Sequence, residues 1–269
     1  MFKEKKSKRV LKIANLIAFI GVLALNFLAN YLPLNNNTTG DLSDSYPNLI
    51  VPSGFTFSIW GLIYIGLAAF VIYQILDSRN GSLSGQSASE KVGIFFIVSC
   101  IGNMAWIVLW HYEMPGYSLL AMLVILISLI AVYIRVNSET SPNSSDKLFV
   151  NYPFSIYLGW ITLATILNVT ALLVDRGWDG FGISEEIWSV VIFGAILVIS
   201  FISLKLRRDI AYNAVFLWGL FGIAYKHLEV FDLQHKLVYW GAIVSMIAIV
   251  LMMLKVLILD KRKNTMFKY

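Results

Sequence analysis

Charge is the first thing this sequence is short of. Only 14% of its 269 residues are Asp, Glu, Lys or Arg, where an ordinary soluble domain carries about 25%. Cysteine is nearly absent as well, and the single Cys100 allows neither a disulfide framework nor a cysteine metal site within one chain. The sequence also lacks a phosphate-cradling glycine loop, a nucleophile set beside a base, and the alternating ten-residue pattern of membrane strand barrels. What fills the chain is apolar: 58% of it is hydrophobic, with a mean hydropathy of +0.73. A soluble enzyme and a soluble nucleic-acid-binding protein are both excluded on these grounds, because the polar remainder is too short for a soluble domain.

Eight apolar runs can be marked, at residues 11–32, 55–76, 92–111, 116–136, 149–174, 186–204, 210–226 and 236–259. Each approaches the roughly 20 residues that a helix needs to cross about 30 Å of hydrocarbon. The expected fold class is an all-α polytopic membrane protein with about eight transmembrane helices. The seventh run is the weakest, being short and containing Asn213. The run after Lys12 is longer than a signal-peptide core and no small-residue cleavage site follows it, so it is read as a retained first helix. The net charge of +5 then sets orientation: 18 of the 21 Lys and Arg fall on the side that holds both termini, and only Arg176, Lys226 and Lys236 on the other. The positive-inside rule places both termini in the cytoplasm, as for a multi-pass protein of a bacterial plasma membrane.

Two Ser/Gly/Asn-rich stretches on that side, 77–89 and 137–146 with Pro142, read as connectors, and the polar segment 33–54 is the longest outer loop. The Trp-Gly pair recurs at Trp60-Gly61, Trp218-Gly219 and Trp240-Gly241. It reads as close helix approach beside a bulky ring rather than as an internal repeat. The middles of the eight runs hold no Asp, Glu, Lys, Arg or His, which counts against ion-coupled transport and proton pumping. His111, His227 and His235 stand at the outer edge without the close spacing of a metal site. No metal ligand, catalytic residue or nucleic-acid partner is therefore expected.

The apolar runs carry instead Trp, Tyr and Asn at helical spacing. Phe57, Trp60, Gly61, Tyr64 and Ala68 share one face of the second run; Ser99, Asn103, Trp106 and Trp110 share one of the third; Pro153, Tyr157, Trp160, Ala164 and Asn168 share one of the fifth. An amide facing hydrocarbon is costly, so Asn103 and Asn168 should point into the bundle. Two readings stay open. The Asn side chains could simply bond across helices while the rings fill the core, or the three faces could converge on a pocket for a flat hydrophobic ligand.

At these residues the sequence resembles the TspO family of translocator proteins, or tryptophan-rich sensory proteins. Pro52, Trp60 and Tyr64 match the family's proline-rich entry and W-x-x-x-Y, with Phe57 one position from the family's Phe. Ser53, Ser58 and Gly54 stand where the family has Pro, Pro and Trp. Asn103-Met104-Ala105-Trp106 is similar to the family's N-x-x-W, with Trp110 where an aromatic is expected. Tyr157-x-x-Trp160-x-x-x-Ala164-x-x-Leu167-Asn168 is close to its P-Y-x-x-W-x-x-x-A-x-x-L-N, the Pro being displaced one turn back to Pro153. The resemblance covers residues 10–176.

It implies a TspO-like five-helix module over residues 1–176, with the loop 33–54 as lid, and a further three-helix segment with a basic tail over 177–269. It also implies a ligand-binding set of Pro52, Phe57, Trp60, Tyr64, Asn103, Trp106, Trp110, Tyr157, Trp160, Ala164 and Asn168. The function implied is binding or sensing of a planar hydrophobic molecule such as a porphyrin, haem-like tetrapyrrole or sterol, with no resident cofactor. The competing readings are a carrier for a neutral or hydrophobic substrate and a non-catalytic partner of another membrane protein. Oligomeric state is not carried over.

Overall fold

The structure, a computed structural model, describes residues 2–32, 34–77, 87–137 and 143–266, with side chains at 9–32, 34–77, 87–137 and 143–259. Pro33, Arg79 with most of the first connector, Pro142, and the side chains of the outermost basic residues at both termini lie outside the described residues. Among the described residues all regular structure is helical. Eight helices run from 17 to 31 residues: α1 (Phe2–Tyr31), α2 (Ile59–Leu76), α3 (Phe95–His111), α4 (Pro115–Val136), α5 (Tyr152–Asp175), α6 (Glu185–Arg207), α7 (Ile210–Glu229) and α8 (Lys236–Met266).

Among the described residues six segments are long and apolar enough to cross a membrane: Arg9–Tyr31, Gly54–Leu76, Pro115–Val136, Ser144–Asp175, Glu185–Arg207 and Lys236–Leu259; Phe95–His111 is a shorter apolar helix. Their outward faces carry large apolar side chains, such as Ile65 at 71% exposure and Ile127 at 66%. Such surfaces are stable against lipid and not against water. The chain is an integral multi-pass membrane protein.

The helix ends follow local chemistry. Pro115 opens α4, where its missing N–H has no intrahelical role. Ser184 caps α6 by accepting from the Ile187 N–H; Glu185 and Glu186 follow in the first turn and Lys205 and Arg207 close the last, each sign complementing the helix dipole. Asp209 accepts from the Tyr212 N–H to start α7.

Contacts divide the chain into two units, residues 1–46 with 57–175, and residues 47–56 with 176–269. The segment expected as one outer loop is thus shared between them. In the first unit five helices pack pairwise into a closed ring in the order α1, α2, α5, α4, α3. Small residues let them approach: a Cβ on Gly66 would lie 3.2 Å from the Pro153 Cβ, and one on Gly102 would lie 2.9 Å from the Ile125 Cγ1. Gly61 has open space beside it, so the Trp-Gly pair there does not mark a helix approach. At one end of the ring Phe70, Phe96 and Phe154 meet edge to face with centroids 5.0–5.8 Å apart. Near it Lys91 Nζ donates to Asp146 Oδ2 at 2.7 Å, both side chains being at most 4% exposed. The Tyr73 hydroxyl donates to the other carboxylate oxygen at 2.7 Å.

In the second unit α6, α7 and α8 contact one another. A Cβ on Gly241 would lie 3.1 Å from Phe193, so here the small residue beside Trp240 does serve close packing. Asn213, the polar residue that weakened the seventh run, is fully buried. It accepts from the Ser200 hydroxyl and donates to Ser203 Oγ and the Asp209 carbonyl, both at 2.7 Å.

The buried Lys91–Asp146 pair gives a stability test. Asp146→Ala removes the carboxylate partner of a buried ammonium and is expected to destabilise the protein by about 3–5 kcal/mol, whereas the apolar pair Lys91→Met with Asp146→Leu recovers most of the loss. Thermal unfolding of the three proteins in one detergent measures both effects.

Candidate ligand cavity

The first unit assembles the three aromatic stripes. On α2, spacings of three and four residues bring Trp60 and Tyr64 to one face, and Phe57 precedes them in the helical turn that leads in. The same spacing aligns Asn103, Trp106 and Trp110 on α3, and Tyr157, Trp160, Ala164 and Asn168 on α5. Trp60 is the hub. Its ring lies 5.4 Å from Tyr64, 6.0 Å from Trp106, 6.0 Å from Tyr157 and 6.3 Å from Trp160. Phe57 meets Trp160 edge-on at 5.8 Å, and Trp106 stacks on Trp110 at 6.1 Å. Tilted and edge-on pairs of this kind add about 0.5–1.5 kcal/mol each beyond their burial.

Polar groups between the rings are tied down by amides. Asn103 receives a hydrogen bond from the Asn26 amide at 2.8 Å and donates to the Tyr157 hydroxyl at 3.5 Å. Asn168 accepts from Trp106 Nε1 at 3.1 Å and from the Ser118 hydroxyl at 3.2 Å, while its own amide donates to the Ala164 carbonyl. The Tyr64 hydroxyl approaches Asn103 without closing a hydrogen bond. Trp160 Nε1, on a residue only 1% exposed, has no acceptor among the described residues.

These rings enclose a cavity of about 20 Å³, room for about one water. Phe57, Trp60, Trp106, Trp110 and Trp160 form its aromatic wall, Ala164, Leu167 and Asn168 come from α5, and Thr39 and Ser43 complete it. The last two belong to a short helix, Thr39–Asp44, whose Thr38 accepts from the Asp41 N–H as the Asp41 carboxylate receives the Thr38 N–H. The Thr38 hydroxyl also donates to that carboxylate at 2.6 Å, and these bonds hold the Asp41 carboxyl below its ordinary pKa of 3.8. Trp110 Nε1 donates to the Thr39 carbonyl at 3.4 Å, and Tyr46 packs on the Trp110 ring at 5.5 Å. No lining residue is an acid, a base or a thiol. The walls offer stacking surface and one unused N–H donor.

Ten of the eleven residues named from the sequence fall in this cluster. Pro52 does not; it belongs to the second unit. Sequence reasoning missed Asn26, Thr39, Ser43 and Ser118. Asn26 was open to the same argument as Asn103, an amide inside an apolar run. Thr38 and Asp41 have the spacing of a capping pair, which could have signalled a short helix in the loop but not its neighbours.

A family model described as TSPO-like protein matches residues 12–255. No curated protein and no solved structure gives a significant match. The motif resemblance stopped at residue 176, but the match continues through α6, α7 and nearly all of the apolar part of α8. With nine-tenths of its length inside that match, the chain belongs to the TSPO-like family.

Proposed function

We propose that this protein binds, and through binding senses, a planar hydrophobic molecule, with protoporphyrin-like tetrapyrroles as the first class to test. The observation that carries the reading is the unpaired Trp160 N–H in a cavity walled by Trp60, Trp106 and Trp110. A buried donor without an acceptor is destabilising by about 1–3 kcal/mol, and a ligand carbonyl or carboxylate would satisfy it while the rings stack on the ligand face. The ring of α1 to α5 is the TspO-like module in this reading. All eight long helices span the bilayer, with both termini cytoplasmic as the basic residues direct. The small cavity adds a condition: a drug-sized ligand needs about 300–1,000 Å³, so entry requires the cover formed by Thr39–Asp44 to swing away.

Titration of the purified protein with protoporphyrin IX, followed by Trp quenching and by the porphyrin absorbance shift, tests this directly. Saturable binding in the micromolar range is expected, and Trp160→Phe, which keeps a ring and deletes the N–H, should weaken it by about three- to tenfold. Unchanged affinity in a folded Trp160→Ala protein would show that the pocket is misassigned.

The cover makes a second expectation. Thr38→Ala or Asp41→Asn breaks the capping pair and should speed porphyrin association by roughly fivefold at neutral pH, since a cap is worth about 1 kcal/mol. Because Asp41 titrates below its ordinary value in the folded protein, the cap is fully formed above pH 3.8 and is lost as the pH falls through that lowered value. Stopped-flow traces at pH 7 and in acid separate the two proteins: the wild type should approach the Asp41→Asn rate only in acid.

A further inference from the structure

Residues 47–56 run between two residues of the cavity cluster. The residue before them, Tyr46, packs on Trp110, and the residue after them, Phe57, packs on Trp160. The segment itself belongs to the C-terminal unit, where α7 grips it at four places. The Ser53 N–H donates to the Gly222 carbonyl at 3.1 Å. Trp218 Nε1 donates to the Thr56 carbonyl at 2.8 Å. His227 Nε2 lies 2.8 Å from the Leu49 carbonyl, which requires the Nε2–H form as donor. Phe55 enters a cluster of Trp218, Phe221 and Tyr225, with centroids 5.1–5.9 Å away and steep interplanar angles.

The approach is close enough to require glycine. A Cβ at Gly222 would overlap Thr56 Oγ1 and lie 3.0 Å from both Thr56 Cβ and Cγ2. Thr56 is fully buried and its hydroxyl has no partner there. A polar group kept unsatisfied shows that the contact is held by the rest of the grip rather than by its own chemistry. Two of the bonds end on backbone carbonyls of the segment and the third starts from its Ser53 N–H, so they fix the path of the chain and not one side chain.

We infer that α7 acts as a clamp which sets the position of the first turn of α2, and with it Phe57 and Trp60, so that Trp218 and Gly222 are positioning residues for the cavity. The link is covalent, through the Thr56–Phe57 peptide bond. Its meaning for ligand binding rests on the function proposed above; the mechanical claim does not. It gives the C-terminal helices a task in the same site to which they contribute no wall.

The test is hydrogen exchange on the full chain in detergent, reading peptides that cover 47–56 and 57–64. Trp218→Phe deletes one donor and keeps a ring, Gly222→Ala forces the segment away, and Trp188→Phe is the control, since it removes a bond to the Gly180 carbonyl elsewhere in the unit. Trp218→Phe and Gly222→Ala are each expected to speed exchange in both peptides by at least about fivefold, with the control at the wild-type rate. A looser 47–56 with 57–64 unchanged overturns the inference, as does equal loosening of 57–64 by the control, or no loosening of 47–56. If Gly222→Ala does not fold, Trp218→Phe decides. Protoporphyrin IX is then added to the same proteins. Binding by the wild type with a faster dissociation rate in Trp218→Phe supports the clamp acting on the cavity, and an unaltered rate overturns that part. Absence of saturable binding by the wild type removes the ligand reading and leaves the exchange result to judge the clamp.

Discussion

A polar group in hydrocarbon has no water to turn to, and this constraint arranges the rest of the first unit. Its apolar helices gain nothing by leaving lipid for one another, because lipid tails are as apolar as Leu. What lipid cannot supply is a partner for an amide. Asn26 and Asn103 find one another across α1 and α3, Tyr157 joins from α5, and Asn168 draws in Trp106 and Ser118 from α3 and α4. Four of the five helices are thereby joined by hydrogen bonds of directed geometry. The Trp106 indole and the Tyr157 phenol come along because their polar tips are members of that network, and the cavity lies where Trp106 meets the rings of Phe57, Trp60, Trp110 and Trp160.

The second unit solves the same problem with different residues. Asn213 binds two serines of α6 and a backbone carbonyl, so the residue that made α7 look least like a membrane helix is the one that anchors it to its neighbour. Where charge is buried, as at Lys91 and Asp146, it is paired, supplied with a second donor from Tyr73, and placed toward the end of the ring rather than in its middle.

Much of this was legible. Eight apolar runs gave eight helices because length and hydropathy are decided residue by residue, and the three stripes converged because period alone fixes which side chains share a face. What could not be read was anything that depends on which carbonyl a donor meets. Nothing in Pro52 or Phe55 says that the loop divides, with 34–46 contributing to the cavity and 47–56 held by α7. Gly222 carries no sign in sequence that Thr56 will be its neighbour. Gly61 and Gly241 stand beside Trp alike, yet only Gly241 is pressed by a neighbouring ring; the difference lies in the facing helix. Asn26 is as legible as Asn103, being an amide in an apolar run, but it belongs to none of the three aromatic stripes.

The cavity has room for about one water. A site too small at rest for its ligand binds with its intrinsic affinity divided down by the fraction of molecules in the widened form. Two members of such a family could therefore share every wall residue and differ by orders of magnitude in sensitivity, through substitutions in the cover alone. In the function proposed above this separates two settings: the rings would decide which molecule is recognised, and the stability of a six-residue helix would decide at what concentration binding begins.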